Sequence, residues 1–301
     1  MPKLSQKQLI TLVLLTLTWG VNWPVMKLGV QDFPPLTFRA ICMVLSLPVM
    51  AAALAAMKVP FRVPREHWGR VLLLGLVNMV LWHSLIIVAV PMLSSGRAAI
   101  LGYTMPIFSA MLGAWIWGDR LAPRAWLGVG AAACGVMLLL WNEFDKLGGR
   151  PTGVALMLIG ASTWALGTQL LRRATLPVPT LTLAFWMTVE TTIALGLLSV
   201  VFEHGRWQAP PAFTVGAIAF NALLVIGFAQ VAWFYLARSL PPLASTLSVM
   251  MIPVLGVFSG AIWLNEQLHW QDWASVALMM VAIASVLWPT QADAADKKAA
   301  P

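Results

Sequence analysis

The residues able to do chemistry in this sequence are the polar side chains that fall inside long apolar runs. Of the 11 acidic residues, Glu190 is the one carboxylate placed well inside such a run. There it can carry a proton or hold a substrate ammonium; it can equally be a structural partner for Arg39, His83 or a helix amide. His83 lies in another run. Imidazole exchanges protons near neutral pH, but a lone histidine also serves as a hydrogen-bonded packing residue. Asn22, Asn78, Tyr103, Gln230, Ser245 and Ser248 add neutral donors and acceptors suited to orienting a small solute, and Gln169 and Asn221 complete the intra-run polar set. Trp19, Trp164 and Trp186 lie deep in their runs and offer aromatic walls. Such a lining suits an amphipathic organic solute and not a bare metal ion, which needs several oxygen or nitrogen ligands. Arg39 lies about one helical turn inside the end of its run, so its guanidinium is expected to snorkel to the membrane interface. The same expectation applies to Lys27, Arg97 and Arg238.

Other chemistries lack their residues. No HExxH, GxSxG or Cys/His cluster occurs, so neither a zinc hydrolase nor a nucleophile–base enzyme is indicated. His67, His83, His204 and His269 are scattered, and no metal or other cofactor is called for. The absence of a GxxxxGK[ST] loop argues against ATP-driven pumping by this chain alone. Cys42 and Cys134 both sit in apolar runs and give no disulfide framework. The sequence pI near 10.1 does not point to nucleic acid, because the basic residues are spread between apolar segments.

The elements that must position these side chains follow from composition. Sixty per cent of the 301 residues are hydrophobic, 10% are charged, and the mean hydropathy is +0.82. A soluble domain carries roughly 25% charged residues, so lipid must cover much of this surface. A membrane-crossing helix needs about 20 mostly apolar residues. Ten such runs can be drawn, at 8–29, 35–57, 68–91, 94–117, 124–142, 151–172, 179–202, 212–236, 243–264 and 271–289. They lack the strict alternation of a barrel, which leaves helices. The first run is not read as a signal peptide, because no small-residue cleavage site follows it. Of the 19 Lys and Arg residues, thirteen fall on the side of the N-terminus and five on the other, with Arg39 inside a run. The positive-inside rule therefore puts both termini in the cytoplasm. The tail from 291 to 301 reads as disordered.

An internal duplication fixes the expected architecture. Pro106–Leu121 recurs as Pro253–Leu268, with Gly113 matching Gly260, Asp119 matching Glu266 and Trp126 matching Trp273. Thr18-Trp19 resembles Thr163-Trp164 more weakly. Five runs separate the copies, an odd number, so the halves 1–147 and 148–290 are expected to be five-helix repeats inverted in the membrane. Asp119 and Glu266 then become matched helix-end anchors on opposite faces. Gly256 and Gly260 form a GxxxG, with Ser109 and Gly113 at the equivalent places, for close helix packing or sliding. Pro106 and Pro253 should kink their helices, as a paired gate or a fixed bend.

On these residues the chain resembles the drug/metabolite transporter superfamily, in its ten-span EamA-type exporters. The resemblance rests on Thr18-Trp19-Gly20 followed by Asn22, and on the doubled Pro…Gly-Ala…acidic…Leu…Trp segments with Gly128 and Gly135. Asn265-Glu266 departs from the more usual Gly-Glu but keeps the acid. The resemblance implies an all-α bundle of two inverted repeats around a central cavity, set in a bacterial-type inner membrane, and small organic metabolites as substrates. The narrower likeness is to YddG-type exporters, which implies neutral or aromatic amino acids. A secondary carrier or facilitator working by alternating access, with protons as a further partner, is the leading expectation. Another metabolite or drug-like solute, a membrane receptor and a membrane-embedded enzyme are the alternatives.

Overall fold

The computed structural model describes residues 5–119, 121, 123–145, 151–236 and 242–287, with the side chains of 140, 142–145, 234–236, 242–249 and 286–287 outside that description. Among the described residues all regular structure is helical. Helices α1 (Gln6–Gly29) and α2 (Pro35–Ala56) come first. A π-turn at Leu76–Val80 then joins α3 (Trp68–Gly75) to α4 (Leu81–Ala89). Helices α5 (Ser95–Gly102), α6 (Met105–Trp117) and α7 (Pro123–Asp145) follow. The order then recurs: α8 (Pro151–Arg173), α9 (Thr180–Glu203), α10 (Ala212–Ala219) joined by a longer π segment at Phe220–Gln230 to α11 (Val231–Leu236), α12 (Pro242–Leu264) and α13 (Trp270–Leu287). The tail expected to be disordered, and Arg238, lie outside the described residues.

Among the described residues seven helical segments are long and apolar enough to cross a membrane, and Pro123–Leu139 and Met250–Leu264 are shorter apolar stretches. Large apolar side chains cover the outside, with Trp115 85% exposed. Water penalises such a surface, whereas hydrocarbon accepts it provided the backbone is satisfied within helices. The helix starts follow local chemistry. Ser5 and Gln8 form a reciprocal capping box at α1, with Gln8 N–H donating to Ser5 Oγ at 3.3 Å. Pro34-Pro35 opens α2, and Glu203 from the end of α9 accepts from the Leu36 and Thr37 amides at 3.0 and 2.8 Å. That carboxylate satisfies donors which no local side chain caps.

The packing is reciprocal between halves. Helix α1 lies along α12, and α8 lies along α5 and α6; α2 lies along α9, and α7 along α13. The first π-turn leans on α8 and α9, the second on α1 and α2. Exchanging the halves maps this set of contacts onto itself.

The two copies of the duplicated segment share their endings but not their beginnings. Gly118 and Asn265, at matching positions, both take left-handed backbone, with φ of 72° and 49°. Asparagine is the residue that best tolerates this region after glycine, which explains the departure at Asn265. In both copies the next amide reaches back to the glycine six residues earlier, Asp119 N to Gly113 O at 3.2 Å and Glu266 N to Gly260 O at 3.5 Å. At the other end, the single run expected over 94–117 is two helices, broken at Tyr103-Thr104. The Thr104 hydroxyl donates to the Leu101 carbonyl at 2.6 Å and competes with helix continuation. Pro106 therefore stands in the first turn of α6, where its missing N–H costs nothing, and not at a mid-helix kink. Pro253 lies inside α12 as expected.

Candidate functional site: aromatic pairs and buried charges between the halves

The deep tryptophans meet across the halves. Trp19 of α1 packs on Trp233 of α11 with ring centroids 5.8 Å apart, and Trp164 of α8 packs on Trp82 of α4 at 5.7 Å. In each pair a first-helix tryptophan of one half meets a tryptophan from beyond the π-turn of the other. The Trp164 backbone is further tied to that turn: Asn78 Nδ2 donates to its carbonyl at 2.9 Å and to Thr168 Oγ1 at 3.3 Å. Gly167 leaves the space that Asn78 fills. Tyr103, at the break between α5 and α6, stands edge-on to Trp23 at 6.5 Å. Asn22 is buried one turn before Met26, with Oδ1 lacking a hydrogen-bond donor.

Arg39 does not snorkel. Its residue is 1% exposed and closed in by α1 and the second π segment. Its Nη1 donates to Asn221 Oδ1 at 3.3 Å, its Nη2 points at the Met26 thioether, and Nε has no partner. The expectation failed because it weighed only the distance to the helix end. Neighbouring helices seal that end. Lys27 and Arg97 also have defined partners: Lys27 Nζ meets Glu266 Oε1 at 2.8 Å, and Arg97 Nε meets Asp272 Oδ1 at 2.9 Å. His83 is buried in α4 with neither ring nitrogen hydrogen-bonded.

Glu190 is seated by a glycine. A side chain on Gly75 would collide with its carboxylate, so α3 yields the space immediately before its π-turn. Its Oε2 is buried without a partner. The structural partnership with Arg39 or His83 that the sequence allowed is absent from its described contacts. Trp186 lies one turn before Glu190 in α9, stacked edge-on with Trp68 at 4.9 Å and donating through Nε1 to Phe61 O at 2.7 Å. It is thus near the start of α3 and apart from the paired tryptophans. Gln230 closes the second π segment. The side chains of Ser245 and Ser248 lie outside the described residues.

The repeated acids anchor helices. Glu266 accepts from Ser95 N at 2.8 Å, Ser95 Oγ at 2.7 Å and Gly96 N at 3.5 Å, so it caps α5 while pairing with Lys27. Its seat is Gly260, where an added side chain would meet Glu266 Oε2 at 2.6 Å. Asp119 sits likewise over Gly113, at 2.6 Å from an added Cβ, and pairs with Arg173 of α8. Arg173 also lies over the Trp117 ring at 4.4 Å. Gly256 lets α12 approach α5, where an added Cβ would meet Ala99 at 2.6 Å. Among the described residues no group of three or more His, Cys, Asp or Glu is placed to hold a metal.

Sequence reasoning named Asn78 and Asn221 as polar candidates but missed how they are placed. Asn221 carries Arg39, and the π-turns place both Asn78 and Asn221 between helices. The available signal was an asparagine in the third apolar run of each half. The turns themselves leave no trace in hydrophobic periodicity.

Comparisons agree with this geometry. A family model described as the EamA-like transporter family matches residues 6–141 and again 151–288. The uncharacterized transporter YoaV of Bacillus subtilis (strain 168) is 22% identical, over 87% of this chain and 90% of that protein. The uncharacterized inner membrane transporter YedA of Escherichia coli (strain K12) is 26% identical, over 90% and 88%. A protein of the same strain named a probable amino-acid metabolite efflux pump is 23% identical, over 93% and 94%. One solved crystal structure superposes with a TM-score of 0.68 over 93% of this chain and 96% of that one; at 19% identity the likeness is one of fold. The apolar helices, their reciprocal packing and the double match together place this all-helical membrane protein in the EamA-like transporter family.

Proposed function

We propose that this chain is a secondary carrier or facilitator that exports neutral or aromatic amino acids across a bacterial inner membrane by alternating access. The observation that carries this reading is reciprocity: Trp19–Trp233 and Trp164–Trp82 join the halves in the same way from opposite sides. Two five-helix repeats, inverted in the membrane with both termini cytoplasmic, account for that exchange and for the repeated acids. A binary rocking motion then swaps the environments of the two pairs. The solute would lie against Trp19, Asn22, Asn78, His83, Tyr103 and Trp164. Glu190, a buried carboxylate with an unpartnered oxygen, is the candidate for proton coupling. The amino-acid substrate class draws support from the relative named a probable amino-acid metabolite efflux pump.

The test is flux in proteoliposomes holding the purified full chain and labelled amino acids. Saturable, substrate-selective counterflow is expected. Binding without flux would replace the carrier by a receptor, and conversion of the solute would make the protein an enzyme.

A further inference from the structure

The geometry points to Arg39, presented by Asn221, as the anchor for a substrate carboxylate. The inference deepens the transport reading and rests on it for the identity of the solute. It begins from an unbalanced charge. A guanidinium stays protonated in proteins, so Arg39 is a cation wherever it is placed. At 1% exposure it has left water, and its described contacts are a neutral amide and a thioether. Removing a cation from water without an anionic partner is strongly unfavourable, and stability alone would favour a leucine or methionine there. The other buried arginine among the described residues, Arg97, has its carboxylate in Asp272. The buried acid nearest in the fold to the start of α2, Glu203, is already committed to the Leu36 and Thr37 amides and the Thr37 hydroxyl.

The surroundings leave the guanidinium only partly satisfied. Asn221 directs Nη1 from one side while donating its own Nδ2 to Ala217 O at 3.0 Å, so the amide orientation is fixed. Nε is buried with no hydrogen-bond partner, and an arginine uses Nε and Nη together for a two-point grip on a carboxylate. Both nitrogens of buried His83 are also free of partners. The site takes a monocarboxylate whose remaining body is apolar or aromatic, since the Met26 thioether flanks it. A neutral amino acid carries such a group.

Asn221→Asp provides a test that does not rely on removing the arginine. The new carboxylate occupies Arg39 from within, so the variant should fold at least as well. Phenylacetate, which has the carboxylate but no ammonium, should raise the melting temperature of the detergent-solubilised wild type. In Asn221→Asp and in Arg39→Gln the concentration needed should rise about tenfold or more. In proteoliposomes, phenylalanine should compete for wild-type counterflow at about a tenth of the concentration needed for its methyl ester, and this preference should vanish in Asn221→Asp. No protection of the wild type by phenylacetate would overturn the proposal. So would a folded Asn221→Asp that kept the preference for acid over ester. Protection by phenylacetate without flux of any amino acid would instead sink the export reading and leave the Arg39 site standing.

Discussion

Pro106–Leu121 and Pro253–Leu268 end alike and begin differently, and their acids live in different surroundings. Both copies close on a left-handed residue and seat a carboxylate over a glycine. Yet the Glu266 side chain is 10% exposed and holds Lys27 together with the start of α5, whereas Asp119 is 49% exposed and holds Arg173. One end of the bundle is tied by a dry, multiply bonded clamp, the other by a wetter ion pair. The start differs too, because Thr104 breaks the first copy where Met251 lets α12 continue. Duplication preserved a backbone ending and left its strength to vary.

The largest expected effect tests the clamps directly. Glu266→Gln should cost about 3 kcal/mol of unfolding stability, because it strands Lys27 and weakens the cap on α5. Asp119→Asn should cost about 1 kcal/mol or less, as exposed pairs do. Denaturant titration in detergent decides, and equal losses would erase the contrast. A second comparison uses glycines from equivalent helices. Gly75→Leu must displace Glu190 and should lose about 2 kcal/mol with most of the flux. Gly216→Ala meets nothing within 4 Å, so its change should stay within about 0.5 kcal/mol.

Smaller effects probe the aromatic pairs and the acid. Trp164→Ala should weaken affinity for aromatic amino acids by about tenfold relative to small aliphatic ones, and Trp19→Ala should do the same if the pairs are interchangeable. Equal loss for both solute classes would make Trp164 a packing residue. Loss at Trp164 alone would break the reciprocity. Glu190→Gln should flatten the variation of flux between mildly acidic and mildly alkaline buffer, at matched protein levels. An unchanged profile would remove Glu190 from proton coupling.

Much of this bundle is legible in the sequence for simple reasons. Long apolar runs announce helices in lipid, and the Asp119 and Glu266 segments keep enough shared residues to expose the duplication. Trp19 and Trp164 could be singled out because they occupy matched places. What stayed hidden depends on partners distant in sequence. Arg39 looked free to reach the interface until α1 and the second π segment were set around it. Lys27 and Arg97 looked like snorkelling cations because Glu266 and Asp272 lie 239 and 175 residues away. The break at Thr104 turns on one hydroxyl choosing Leu101, a competition that hydropathy does not register.

The π-turns carry a mechanical consequence. Each is a dislocation in an otherwise regular rod, five residues long in the first half and eleven in the second. Shifting a dislocation by one position exchanges one hydrogen bond for another and turns the stretch it passes by about 100°, the helical angle per residue. The rod never melts. At Leu76–Val80 and Phe220–Gln230 a shift of this kind would carry Asn78 or Asn221, now hydrogen-bonded in place, past the neighbouring helices.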